Sequence, residues 1–221
     1  MFDRLAMKAD ARKQLKGNKT IPSIITIIAV VILAILSSFV GTKKGLGERT
    51  IFPLLLGTII TGIIYFSVAY YYISFKNTSE DDKPGIRTFF DGFNYWFKAI
   101  CASLWKILWI ALWTLCFVIP GLIKMIAYSQ MFYILAENSD ISVRKALRMS
   151  IYMTQGHKSE LFMMYLSFSG WFILSCLTAG ILFVWTLPYM QLTAVNAYYY
   201  LKSQAIVSGI LTENDFSNSD N

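Results

Sequence analysis

Two runs without a single charged residue, Ile21 to Val40 and Ile51 to Phe75, constrain this chain more than any other feature. About 20 apolar residues at 1.5 Å each cross the ~30 Å hydrocarbon core of a bilayer, and both runs reach that length. Each run reads as a spanning helix. The first exceeds the 7–15-residue core of a cleaved signal sequence, so it reads as a retained helix. Composition agrees: 56% of the 221 residues are hydrophobic and only 15% charged, against roughly 25% charged in soluble domains. Mean hydropathy is +0.51.

From Ala99 to Leu201 the apolar text is broken at Pro120-Gly121, at the polar stretch Glu137 to Glu160, and at Thr178-Ala179-Gly180. Those breaks predict four further spans over 99–119, 121–136, 161–177 and 181–202, joined by turns that use Pro to begin a helix and Gly to end one. The 121–136 segment is short for a crossing. It must thin the bilayer, extend past Ala136 or stop halfway. The expected architecture is an all-α polytopic bundle over residues 1–211, with six transmembrane helices as three hairpins and a disordered polar tail over 212–221.

Charge sets the threading, because short cytoplasmic loops collect Lys and Arg. With six spans and both termini inside, fifteen of the 20 basic residues fall on the inner side, among them Arg12, Lys13, Arg144, Lys145 and Arg148. Lys43, Lys44 and Arg49 fall in an outer loop. The net charge of +7 then faces anionic lipid headgroups, worth about 1 kcal/mol per Lys or Arg near the surface. Lipid is the more economical reading than nucleic acid. Membrane-protein partners are the other expected contacts.

A basic amphipathic segment precedes each hairpin. Residues 2–17 place Phe2, Leu5, Ala6 and Ala9 on one face, and residues 141–155 place Val143, Ala146, Leu147 and Ile151 opposite Arg144, Lys145 and Arg148, with Asp140 or Ser142 as N-cap. Such helices are expected to lie flat in the headgroup layer. Gly17 and Gly156 end them. Gly85 to Lys98 is an aromatic version. Tyr128-Ser129-Gln130 and Tyr189-Met190-Gln191 echo one another after two of the turns. The pattern reads either as one unit used three times or as the ordinary recurrence of such elements in small bundles.

Ile119-Pro120-Gly121, Tyr128, Ala146 with Ser150, Gly156, Leu166-Ser167-Phe168, Gly170-Trp171, Gly180 and Pro188-Tyr189 resemble the bacterial membrane-protein family known as domain of unknown function 975. Ala9, Leu15 and Gly17 fit its opening. More distantly the chain is similar to the membrane domain fused to some glycerophosphodiester phosphodiesterases. The resemblance implies a multi-pass protein of the bacterial plasma membrane with no established activity, and the distant similarity points towards lipids. Its motifs are packing and turn residues, so it brings no catalytic position with it.

No Asp or Glu occurs between Ala99 and Ala136 or between Leu161 and Thr212, and His157 is the single histidine. A carboxylate proton relay, a His-based metal site and a Ser-His-Asp triad all lack parts. Cys101, Cys116 and Cys176 have no paired spacing, so neither a disulfide framework nor a metal knuckle is expected. The chain is expected to be no enzyme and to need no cofactor; an activity would have to rest on His157. The candidate ligand-binding residues are Lys106, Gln130, Gln191 and Asn196. Lys106 either snorkels to the inner interface beside Trp105 or faces a cavity and binds an anionic group. The glutamines and Asn196 either line a path or hydrogen-bond between helices. Two functions follow: a bundle that organises lipids or partner proteins, or a transporter component for an amphiphile.

Overall fold

A computed structural model describes residues 2–41, 51–79, 82–178 and 180–217, and every regular element among them is helical. The expected outer loop with Lys43, Lys44 and Arg49 lies outside the described residues, as do Ala179 and the last four residues. The two charge-free runs form α2 (Thr20–Gly41) and α3 (Ile51–Asn77), which pack on one another. Among the described residues four stretches are long and apolar enough to cross a membrane: Leu56–Asn77, Ile86–Leu115, Val118–Glu137 and Lys158–Leu177. A fifth is added if α1 (Arg4–Leu15) and α2, which meet at 105°, count as one bent span. Large apolar side chains such as Leu108, Leu115, Phe117 and Ile119 are exposed. An aqueous surface of that kind would aggregate, whereas lipid covers it without cost. These features fit an integral membrane protein.

α1 leaves α2 at Gly17, whose φ of +95° only glycine adopts without strain. Of the apolar face expected for α1, only Phe2 is buried. Leu5 is 78% exposed, and the buried face is Phe2, Met7, Ala11 and Leu15. That face packs on α11 (Phe183–Val207) rather than meeting lipid, because Phe2 stacks edge-on to Tyr200 while the Met7 carbonyl accepts from Asn196 Nδ2 at 3.2 Å.

The aromatic segment at 85–98 is not a separate surface helix. α4 (Ile86–Asp91) runs through a 3-10 turn at Gly92–Tyr95 into α5 (Trp96–Cys116) as one stretch. The turn expected at Pro120-Gly121 lies earlier, at Phe117, whose extended backbone (φ −158°, ψ 141°) separates α5 from α6 (Val118–Ala127). Pro120 therefore sits in the first turn of α6, where its missing N–H breaks no helical bond.

Neither the short span at 121–136 nor the span expected at 161–177 is one helix. Residues 118–137 reach a membrane-spanning length as α6 and α7 (Met131–Glu137), interrupted at Tyr128-Ser129-Gln130. Extension past Ala136 and back to Val118 supplies the missing length. The span expected at 161–177 begins at Lys158 and is divided into α9 (Lys158–Leu166) and α10 (Ser169–Leu177) at Ser167-Phe168. Between them α8 (Val143–Thr154) starts at Ser142, whose Oγ accepts from Lys145 N. Ala146 and Leu147 are buried as the spacing predicted, yet the face covers α5, α7 and α11 instead of lying on lipid.

α11 is the centre of the molecule. Its 25 residues are ~37 Å long at 1.5 Å each, and it packs on α1, α2, α3 and α8. The tail expected to be disordered from 212 folds back instead as α12 (Glu213–Ser217), with Leu211 and Phe216 buried. Two apolar residues in a polar segment suffice, because Phe216 finds a surface at Lys202 and its carbonyl accepts from Asn138 Nδ2 at 2.5 Å.

Candidate functional site: a cleft with one cation

Close approach of α3 and α5 begins the site. A Cβ at Gly62 would lie 1.7 Å from Ser103 Oγ, so only glycine lets the two helices touch there. Ser103 turns its hydroxyl onto the Ala99 carbonyl at 2.7 Å, and Lys106, one turn further along α5, emerges on the same side. Beyond this contact the helices diverge around a cleft of about 990 Å³ lined from α2, α3, α5, α6, α7, α9, α10 and α11. Lys106 is the only charged side chain among the described lining residues.

Lys106 Nζ lies 5.1 Å from the centroid of the Phe132 ring. The ion pairs among the described residues are His157–Glu160 and Lys202–Glu137, so no carboxylate meets it. Lys106 lines the cleft, and Trp105 carries Arg144 Cζ 5.1 Å over its ring. Gln191 also lines the cleft and accepts from the Tyr133 hydroxyl at 3.3 Å. Gln130 is fully buried just behind the wall, donating from Nε2 to Ser129 Oγ at 2.8 Å, with no partner for its Oε1. Asn196 lies apart from the cleft and ties α11 to α1.

Both helix interruptions border the cleft, through Ser129 on one side and Leu166, Phe168 and Ser169 on the other. A break releases a carbonyl that must find another donor. At the first, the Met131 amide turns to Tyr128 and the freed Ala127 carbonyl takes the Ser150 hydroxyl of α8 at 2.7 Å. At the second, the Phe168 amide turns to Tyr165, and the Met164 carbonyl takes the Ser167 hydroxyl at 2.6 Å. Lys8 of α1 donates in turn to Ser167 Oγ at 2.6 Å and lies 4.2 Å over the Phe168 ring. Burial, then the neighbouring Arg12 and Arg4, lowers the Lys8 pKa. Thus α8 and α1 each brace a break in the cleft wall.

The five cations expected to form an anionic-lipid surface lie on these two helices. Arg12 Cζ lies 5.2 Å over Tyr189 and Lys13 is exposed on α1, while Arg144 and Arg148 are exposed and Lys145 partly buried on α8. His157 Nδ1 is 2.5 Å from Glu160 Oε2, and its ring packs with Phe2 and Tyr200. Among the described residues no three His, Cys, Asp or Glu side chains gather as a metal site.

Residues 107–205 match the family model described as Protein of unknown function (DUF975). The matched region is under half of the 221 residues and runs from the residue after Lys106 to near the end of α11. It holds both helix breaks, Gln130, Gln191 and the α8 cations, and supports the resemblance carried by the motifs there. No curated protein and no solved structure matches the chain.

Sequence reasoning missed Ser129, Tyr133 and Ser150 as site residues: Ser129 and Ser150 appeared only within an echo and a packing motif, and Tyr133 not at all. It also missed the second polar centre, where Glu137 Oε2 accepts from the Tyr198 hydroxyl at 2.5 Å and from Lys202 Nζ at 2.8 Å. An Asp/Glu-free run ending at a lone Glu was the available signal.

Proposed function

We propose that the chain is a non-enzymatic, six-span protein of the bacterial plasma membrane, with both termini cytoplasmic, that takes an amphiphile into the cleft between its helices. One observation carries the reading: a cleft of about 990 Å³, at the upper end of the 300–1,000 Å³ usual for ligand sites, has a mainly apolar wall with hydroxyl and amide groups and, among the described lining residues, one ammonium that meets no carboxylate. Burial of an unpaired charge is costly unless a partner arrives. The partner supplied by an amphiphile is its headgroup.

Purification in mild detergent followed by native mass spectrometry tests this. The parent is expected to retain an amphiphile, and Leu166→Trp, at a half-exposed position on the cleft wall, is expected to lose it. Equal retention in both would refute the cleft as its site. A second reading, organisation of anionic lipid at the inner surface, is favoured by exposed Lys13, Arg144 and Arg148. Replacing Arg144, Lys145 and Arg148 with Gln should then weaken salt-sensitive binding to anionic liposomes. Transport of the amphiphile would be read as flux into proteoliposomes above that of empty ones.

A further inference from the structure

We infer that the cleft selects a phospholipid whose headgroup carries one negative charge and no amine, a single phosphodiester of the phosphatidylglycerol type, drawn in sideways from the bilayer. The inference rests on the cleft reading above and specifies its ligand. Charge counting decides the class. With Lys106 as the sole charged group among the described lining residues, one phosphodiester anion is neutralised fully. A phosphomonoester leaves a second negative charge in an apolar wall, and an amine headgroup brings an ammonium with no carboxylate to receive it.

The neutral polar groups point to the same chemistry. Gln191 has its Oε1 taken by Tyr133, so its unengaged groups are the two N–H donors of the amide. Together with the ammonium of Lys106 they offer donors to a headgroup made of acceptor oxygens. The route follows from the wall. Leu122, Met125, Phe162 and Leu166 line the cleft and are 49%, 48%, 48% and 49% exposed. An opening bordered by half-exposed apolar side chains suits passage from hydrocarbon, and the acyl chains of a bound lipid continue into the bilayer along it.

The test is lipid competition with phosphatidylglycerol, phosphatidylcholine, phosphatidylethanolamine and phosphatidic acid of identical acyl chains. It uses the full chain in which Lys13, Arg144, Lys145 and Arg148 are Gln, so that binding at these surface cations does not contribute. Bound lipid is read by native mass spectrometry. Phosphatidylglycerol is expected to be preferred by about tenfold over each of the others, the effect of one charge-assisted hydrogen bond. Lys106→Gln should abolish that preference while total bound lipid remains, and Lys106→Arg should keep it. Lipid that Leu166→Trp displaces, but that the parent binds without headgroup preference, would overturn this inference and leave the amphiphile reading standing. A preference unchanged in Lys106→Gln would also overturn it. Lipid binding that Leu166→Trp does not alter would overturn both.

Discussion

Lys106 and Lys202 are the same residue type set into apolar helices, and the structure treats them in opposite ways. Lys202 donates to Glu137 at 2.8 Å and is roofed by Phe216 at 4.5 Å, with one-fifth of each ion-pair side chain exposed. Lys106 has one aromatic ring and a cleft. The first lysine closes an interaction within the fold, and the second leaves one open. A cation matched inside the protein reads as architecture, whereas an unmatched one beside empty space reads as a place for something else.

Removing each lysine separates the two. Lys202→Met strands the Glu137 carboxylate in a mostly buried setting, where losing one partner of a buried pair costs about 3–5 kcal/mol and partial exposure reduces this to about 2 kcal/mol. Thermal unfolding in detergent should show the loss, and Glu137→Gln in the same chain should restore much of it as a double-mutant coupling. Unfolding at the parent temperature would break the assignment of this pair to stability. Lys106→Met is expected to leave stability unchanged or raise it by up to about 1 kcal/mol, since a lysine in hydrocarbon is itself unfavourable. A loss equal to that of Lys202→Met would erase the contrast.

The cleft wall offers a smaller effect. Ser150→Ala removes the donor on the Ala127 carbonyl at the α6/α7 break and should cost about 1 kcal/mol. Lys8→Met leaves the Ser167 hydroxyl on the Met164 carbonyl, so it should cost less. If the two exchange order in unfolding experiments, the charged brace at the second break matters more than its neutral counterpart.

How much of this was readable in advance depends on whether the signal was local. The charge-free runs of α2 and α3 announced themselves, because a bilayer demands length and apolarity within one segment. Gly156 and Ser142 marked the ends of α8 for the same local reason. The helix breaks did not, since Tyr128-Ser129-Gln130 and Leu166-Ser167-Phe168 stood out only as an echo and a motif, and their braces, Ser150 on the Ala127 carbonyl and Lys8 on the Ser167 hydroxyl, lie 23 and 159 positions away. The amphipathic faces of α1 and α8 were legible as patterns, but a pattern does not say whether lipid or another helix covers it. Lys106 and Gln191 were picked out by being polar in apolar helices. Asn196 was picked out on the same grounds and proved to be a fastening between helices, which shows the limit of that criterion. The cleft itself is assembled from eight helices, so no single stretch of sequence describes it.

The smallest expected effect lies at α12, and it sharpens the opening contrast from the Lys202 side. Asp215 Oδ2 accepts from Thr212 N and Thr212 Oγ1, each at 2.9 Å, closing the first turn of the helix that brings Phe216 over Lys202. The hydrogen bond from the Thr212 amide, then that from its hydroxyl, pulls the Asp215 carboxyl below its ordinary value of 3.8. A folded-state pKa below the unfolded one means that the carboxylate stabilises α12 fully above pH 3.8, and that the contribution fades as pH falls through the lower folded value. Asp215 is solvent-screened, so the amount is about 0.5 kcal/mol. Asp215→Asn should therefore speed amide exchange across Thr212 to Phe216 about twofold at pH 7, and the difference from the parent should close only under more acidic conditions than pH 3.8. Because Phe216 covers Lys202 and not Lys106, the same variant should slightly lower the cost of Lys202→Met and leave Lys106→Met untouched. Equal coupling of Asp215 to both lysines would mean that α12 acts on the bundle as a whole, and the division between a closed cation and an open one would fail.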